Sequence, residues 1–210
     1  YSNVVGNVFS KTMPEWGKFV GALVFSIAVL LISFVGGELF TGNNMVMAMG
    51  VYTKTCKVSD MIKTWVISYI GNFVGSFILG GLFVWSNASH QILVDYYRSF
   101  IYTKLDATPM ELFVRGVLCN FLVCLAVYTG MKLKSESGKM IMMFCIITAF
   151  VLAGFEHCVA NMGTFTIGYM LLGDIGTAAV IKSQFFVTLG NIVGGAVLLA
   201  FPLKQMSAEH

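Results

Sequence analysis

Three ionisable side chains stand inside long apolar stretches of this sequence, where a charge is costly. Glu38 interrupts an apolar run that starts at Phe19, and Glu156 and His157 interrupt another that starts at Met140. An ionisable group at membrane depth indicates a functional site by default. Because an imidazole titrates near neutral pH, His157 is suited to proton exchange with a weak acid. The alternative is a structural histidine bonded to a backbone carbonyl.

Polar side chains in the same stretches suggest a passage for an anion. Asn120 and Asn161 can donate hydrogen bonds to an anion without adding charge, although Asn120 could equally link two helices. Bare carboxylates would repel an anion. We therefore expect Glu38 and Glu156 to stabilise the chain locally by accepting hydrogen bonds from exposed backbone amides. The sequence has no H-E-x-x-H metal signature, and we expect no metal and no cofactor.

The composition places these residues in a membrane protein. Of the 210 residues, 57% are hydrophobic and only 11% are charged, against about 25% charged residues in a soluble domain. This excludes a disordered chain, a nucleic-acid-binding domain and a soluble secreted domain. The net charge of +3 is small, so it indicates topology rather than an anionic macromolecular partner. Five cysteines without a C-x-x-C pair favour free thiols.

The apolar runs are long and continuous, which favours helical spans of about 20 residues. Uninterrupted spans are predicted over residues 64–85, 112–131 and 184–203. The runs 19–52 and 140–172 are too long for one straight helix each. We expect the first to break near residues 38–44, and the second at Glu156, His157 and Asn161. Unwound backbone at membrane depth is tolerated only where it lines a cavity or is buried in protein.

The two interrupted runs resemble each other, which predicts an internal repeat. Each contains Gly-x-Glu, with Asn-Met ending six or seven residues beyond the glutamate. Further along, Gly71-Asn72-Phe73-Val74-Gly75 parallels Gly190-Asn191-Ile192-Val193-Gly194. The separation from glutamate to asparagine is 34 residues in the first copy and 35 in the second. The paired glycines are expected to be sites of close helix packing.

The repeat defines the expected organisation. Residues 1–210 form a single transmembrane domain, with the remainder of the first repeat at 19–86 and the second repeat at 112–203. The first repeat has no counterpart of the 112–131 helix, so we expect the first helix to be missing from this chain. A complete chain would have two inverted halves of three helices each. Seven basic residues lie on one predicted side of the membrane and five on the other. Because basic residues favour the cytoplasmic side, the six-span arrangement has both termini in the cytoplasm.

At Glu38-Leu39-Phe40-Thr41-Gly42-Asn43 and at Gly154-Phe155-Glu156-His157-Cys158-Val159-Ala160-Asn161-Met162, the sequence resembles the formate/nitrite transporter family. The phrases Leu118-Cys119-Asn120 and Thr188-Leu189-Gly190-Asn191 fit it too, and the resemblance covers essentially the whole chain. It implies an all-α integral membrane fold of aquaporin-like type, an inverted repeat of three plus three helices with two broken helices. It also implies a multi-pass homopentamer in the cell (plasma) membrane of a prokaryote.

The resemblance further implies roles for individual positions. His157 is similar to the central pore histidine of the family, and Thr41 to the threonine that contacts this histidine or gates the path. Asn120 and Asn161 complete the pore and proton-relay group, and Lys104 matches a vestibule lysine that attracts the anion. One apolar constriction is implied by Phe25 and Phe150, and the other by Leu39, Phe40 and Val123.

The function expected is a transmembrane channel or transporter for small monovalent anions of weak acids, formate first, with nitrite or hydrosulfide close. An apolar constriction penalises a bare anion and favours its neutral acid, and His157 would supply or relay the proton. A neutral small-solute pore of aquaporin-like type is the alternative. An enzyme built on Glu156, His157 and Cys158 is disfavoured, since neighbouring helical residues diverge by about 100°.

Overall fold

The architecture is entirely helical over the part of the chain that the structure, a computed structural model, describes, which is residues 2–88 and 90–207. A π-helical segment, Val193–Leu199, joins the last two α-helices. In chain order the α-helices are α1 (Ser2–Thr12), α2 (Pro14–Val35), α3 (Phe40–Tyr52), α4 (Val58–Trp85), α5 (His90–Leu105), α6 (Pro109–Lys132), α7 (Glu136–Ala153), α8 (Cys158–Leu172), α9 (Thr177–Ile192) and α10 (Ala200–Ser207).

Five helices in the described residues are long and apolar enough to cross a membrane. They are Trp16–Val35, Val58–Trp85, Pro109–Lys132, Glu136–Ala153 and Thr177–Ser207. Each uninterrupted span predicted from the sequence lies within one of them. The helices α4 and α6 begin earlier than predicted, because each has a polar first turn. In α4 the Asp60 carboxylate accepts from the backbone N–H of Lys57 at 3.0 Å, and in α6 Thr108 and Glu111 form a capping box.

Both over-long runs are broken, and each break is four residues long. The first break is Gly36–Leu39 and the second is Gly154–His157. Gly36 has φ 75° and ψ 31°, and Gly154 has φ 75° and ψ 30°, a left-handed conformation that glycine adopts without steric cost. The first break thus ends earlier than predicted, and Gly42-Asn43-Asn44 belongs to α3. In the second, Asn161 likewise lies in α8.

The broken helices α2 and α7 pack against each other with opposite directions. Ser26 and Thr148 share a hydrogen bond of 2.8 Å between their hydroxyl groups, and the rings of Phe25 and Phe150 meet edge to face at 5.8 Å. The first break therefore lies towards the start of α7, and the second towards the start of α2. The two breaks therefore lie at opposite ends of this antiparallel pair of helices.

A short helix, α1, precedes α2 and packs on it. Ser2 donates a hydrogen bond to the carbonyl of Gly21 at 2.7 Å, and Gly6 lies against Gly17 and Gly21. With 11 residues, α1 is about 16 Å long, too short to cross a hydrocarbon core of about 30 Å. It is not a full-length counterpart of α6.

The paired glycines differ between the two repeats. A Cβ added at Gly190 would collide with the carbonyl of Phe113, and one at Gly194 with the carbonyl of Val117, because α9 and the π segment lie directly against α6. A Cβ added at Gly71 would meet no atom of the described chain within 4 Å, and the same holds for Gly75. Within one chain, the expected close packing of the paired glycines is therefore found in the second repeat and not in the first.

We expect Gly190→Ala to destabilise the protein by about 1–3 kcal/mol, because overpacking displaces backbone. Its repeat counterpart, Gly71→Ala, should change stability by less than about 1 kcal/mol, since alanine favours a helix over glycine. Thermal unfolding of both variants in detergent compares them directly. Equal losses of stability in the two variants would contradict the packing described.

Candidate functional site

Two asparagines hold the broken backbone. The side-chain carbonyl of Asn72 accepts from the N–H of Phe40 at 2.9 Å, and its amide donates to the carbonyl of Glu38 at 3.0 Å. Asn191 makes the same pair of bonds in the second break. It accepts from the N–H of Cys158 at 2.9 Å and donates to the carbonyl of Glu156 at 3.0 Å.

These contacts correct the role expected for the glutamate side chains. A carboxylate only accepts hydrogen bonds, whereas an amide both donates and accepts. Each break leaves an orphan N–H and an orphan carbonyl two residues apart, and a single amide satisfies both. The sequence shows Asn72 and Asn191 as a repeat signature at matched spacing. That spacing was the signal for this function, which the sequence reasoning did not assign.

The two carboxylates instead bind side-chain amides five residues further along. Asn43 donates to Glu38 at 2.7 Å, and Asn161 donates to Glu156 at 2.8 Å. The glutamate of the first break is exposed, whereas that of the second is buried. The two breaks are therefore alike in their bonding and different in their surroundings.

Lys104 joins the carboxylate of the second break. Its ammonium donates to both carboxylate oxygens of Glu156, at 2.9 and 2.8 Å, and to the side-chain carbonyl of Asn161 at 3.1 Å. The side chains of Lys104 and Glu156 are 14% and 5% exposed. The positive charge of Lys104 is thus compensated at short range, and Asn161 is part of this cluster.

The position of α5, which carries Lys104, is fixed by a second lysine. Lys182 of α9 donates to the carbonyls of Leu105 and Ala107, at 2.9 and 3.2 Å. The carbonyl of Leu105 ends α5 and that of Ala107 lies two residues beyond, at a helix C-terminus where a cation is favourable. Sequence reasoning counted Lys182 only as a topological charge, because its partners are backbone atoms more than 70 residues away.

His157, the last residue of the second break, lies against the first turn of α3. It is the N-cap of α8, and its Nδ1 accepts from the N–H of Ala160 at 3.1 Å. A ring nitrogen that accepts carries no proton, so the ring proton of the neutral imidazole is on Nε2. Nε2 lies 3.0 Å from the hydroxyl oxygen of Thr41, the second residue of α3. The sequence analysis expected this pair, and the structure brings the two side chains together.

Asn120 is a cross-link inside the protein. It is fully buried, and its amide donates to the carbonyls of Thr41 and Asn191, at 3.1 and 2.6 Å, and to the side chain of Asn44 at 3.1 Å. Gly195 in the π segment leaves the space that Asn120 occupies. Of the two alternatives left open by the sequence, these contacts favour the link between helices over a pore group.

The apolar residues expected at the two constrictions fall into two buried clusters. Phe150, Leu39 and Val123 belong to one buried cluster, and Phe25 packs against it. Phe150 also stacks on the ring of His157, at 6.2 Å between centroids. Phe40 belongs to another cluster and packs edge to face on Tyr69 at 4.9 Å. Phe40 and Leu39, although adjacent in the chain, thus pack in different clusters, and their shared constriction stays a prediction.

A cavity of about 360 Å³ opens beside the first break. Leu39 and Asn43 line it from the first repeat, and Val127, Lys139 and Met143 line it from α6 and α7. Leu39 and Met143 also belong to the apolar cluster that contains Phe150. This cavity therefore leads to the apolar residues that separate it from His157.

Removal of the Lys104 ammonium should leave Glu156 buried without its cation. Lys104→Met is expected to destabilise the protein by about 3–5 kcal/mol. The double variant Lys104→Met/Glu156→Gln should recover much of this loss, because a neutral amide can still bond Asn161. Thermal unfolding of the single and double variants in detergent measures the coupling.

A matched control is the exposed ion pair of Arg98 and Asp174, at 2.8 Å with side chains 55% and 48% exposed. Arg98→Gln should cost no more than about 1 kcal/mol. A double variant less stable than Lys104→Met alone would contradict the pairing described.

Comparison with known proteins gives a consistent result. A model of the protein family described as Formate/nitrite transporter matches residues 1–204. The chain is 34% identical over 213 residues to the uncharacterized transporter YwcJ of Bacillus subtilis, covering 98% of this chain and 81% of that protein. It is 32% identical over 219 residues to the formate channel FocA of Haemophilus influenzae, covering 93% of this chain and 77% of that protein.

The fold is also that of a solved structure titled as a pentameric formate channel with formate bound. The two chains superpose with a TM-score of 0.83 at 26% identity, covering 99% of this chain and 90% of the other. The predicted class, an all-α multi-pass membrane fold, is confirmed by this likeness and by the five membrane-crossing helices of the described residues.

Proposed function

Because this chain belongs to the formate/nitrite transporter family, a family of transporters rather than enzymes, we propose that it passes small monovalent anions of weak acids by a proton-linked route through His157. Formate is the first candidate substrate, with nitrite and hydrosulfide close. The observation that carries the proposal is the contact of 3.0 Å between His157 and Thr41, which brings the starts of α3 and α8 to one point.

That point favours a negative charge. The helices α3 and α8 both begin there, and the N-terminus of a helix carries the equivalent of about half a positive charge. Backbone N–H groups at helix N-termini bind anions without any cationic side chain. The Nε2 proton of His157 and the hydroxyl of Thr41 add two polar hydrogens. A small anion can therefore find several donors at this depth.

The same route penalises a bare anion on either side of that point. The proposed route has Phe25 and Phe150 on the Lys104 side of the pair, and Val123 with Leu39, which lines the cavity of the first break, on the other side. A charge leaving water for such surroundings tends to be neutralised. A weak acid can do this by taking up a proton, which a permanently ionised anion such as chloride cannot. The proposed selectivity for weak acids follows from this difference.

The hydrogen bonds of His157 determine how this side chain can assist the passage of an anion. A neutral imidazole that gave up its Nε2 proton would become an imidazolate, which is far too basic to persist. Its Nδ1 is occupied by the N–H of Ala160. We therefore assign His157 as a hydrogen-bond donor that holds the permeating anion at Nε2 while a proton arrives from water and converts the anion into its neutral acid.

The remaining expectations belong to the same proposal. The assembly is a homopentamer, which is supported by the solved neighbour titled as pentameric. The protein lies in the plasma membrane of a prokaryote with both termini in the cytoplasm, as the distribution of basic residues favours. The halves 19–86 and 112–203 are inverted repeats, supported by the two breaks of matching geometry. Lys104 contributes to anion attraction only as part of its cluster with Glu156 and Asn161.

Two variants test the route in liposomes that contain the full chain. His157→Phe should lower formate flux at least about tenfold, because a hydrogen bond to a charged group contributes about 1.5–3 kcal/mol. Thr41→Val keeps the shape of the side chain and should lower formate flux less than His157→Phe does. The matched control is His90→Phe, which changes an exposed histidine on α5 and should leave flux unchanged.

The comparison is run with formate, nitrite, hydrosulfide and glycerol, in mildly acidic and neutral buffer. We expect anion flux that rises in acid, and no glycerol flux. Passage of glycerol without any anion would contradict the proposal and favour a neutral-solute pore. Anion flux of unchanged size in His157→Phe in both buffers would contradict the role of His157.

A further inference from the structure

We propose that Lys18 is the cation that gathers anions at the mouth on the Lys104 side, outside the apolar pair Phe25 and Phe150. This inference rests on the proposed function and adds a binding residue to it. It places a lysine on α2 ahead of the Lys104 cluster, which the anion meets next. The ligand is a small monovalent anion in its ionised form, before it reaches the apolar residues.

The first argument is the position of Lys18 on its helix. Lys18 precedes Phe25 by seven residues, which is two turns of an α-helix, so both lie on one face. Ala22, between them on that face, is fully buried, whereas Lys18 is exposed. The ammonium-bearing residue therefore stands roughly 10 Å further out than Phe25 along the helix axis.

The second argument is that the end of α7 lies beside Lys18. Because α2 and α7 are antiparallel, the start of α2 lies beside the second break. A Cβ placed on Gly154, which ends α7, would stand 3.9 Å from Nζ of Lys18. The C-terminus of a helix attracts a cation. The end of α7 thus favours an ammonium group at the entrance to the break that carries Glu156 and His157.

The third argument is that the charge of Lys104 is already compensated. Lys104 donates to both oxygens of Glu156, so the pair together has no net charge to attract an anion over distance. Lys18 has an exposed side chain, and its ammonium lies beside Gly154, two residues before Glu156. An anion drawn towards Lys18 is therefore brought near the Lys104 cluster.

The test measures initial rates of formate uptake against formate concentration, at low and high salt, in liposomes with the full chain. Lys18→Met should raise the concentration for half-maximal uptake about two- to fivefold, as expected for one exposed charge, and leave the maximal rate unchanged. Lys18→Arg should behave as the unaltered protein. High salt should abolish these differences.

The matched control is Lys11→Met, which removes one exposed positive charge from α1 and should leave the half-maximal concentration unchanged. Equal shifts in Lys11→Met and Lys18→Met would overturn the assignment, because the effect would then be net charge alone. A lowered maximal rate with an unchanged half-maximal concentration would overturn it as well. Absence of anion uptake by the unaltered protein would overturn the proposed function and this inference together, whereas normal uptake with no effect of Lys18→Met overturns this inference alone.

Discussion

Backbone N–H and carbonyl groups cannot be left unpaired inside a bilayer, where each unsatisfied group costs several kcal/mol. Both broken helices of this protein leave such groups at the glutamate and two residues beyond it. Asn72 and Asn191 satisfy them with one amide each, at distances of 2.9 and 3.0 Å in both breaks. The rest of the site depends on these two side chains, because they fix where α3 and α8 begin.

The two breaks share a backbone conformation but differ in the residue that precedes the new helix. The first has Leu39 there, and the second has His157. Leu39 joins the apolar cluster, whereas His157 caps α8 with one ring nitrogen and approaches Thr41 with the other. An approximately symmetric scaffold thus places an apolar barrier at one break and a polar donor at the other. The route that we propose uses both.

Much of this arrangement could be predicted from the sequence. The apolar runs gave the spans, and the two glutamates with the repeated Gly-Asn-x-x-Gly marked both breaks. Contacts between distant residues could not be read in the same way. The pairing of Lys104 with Glu156 joins positions 52 residues apart, and only the folded chain shows that Lys104 is compensated. The sequence allows Asn120 to be either a pore group or a link between helices, and only its three acceptors in the folded chain favour the link. Phe40 was grouped with Leu39 because they are adjacent, although adjacent residues at a helix start face different neighbours.

The central claim is that the clamped breaks hold His157 neutral, with its proton on Nε2 facing Thr41. Nitrogen-15 NMR of histidine-labelled protein in bilayers, at roughly neutral pH, reports the protonation of each ring nitrogen directly, and His157→Gln identifies the signals. The account predicts an unprotonated Nδ1 and a protonated Nε2. A proton on Nδ1, in either the other neutral tautomer or the imidazolium, would contradict it, since the N–H of Ala160 could then no longer donate to that nitrogen.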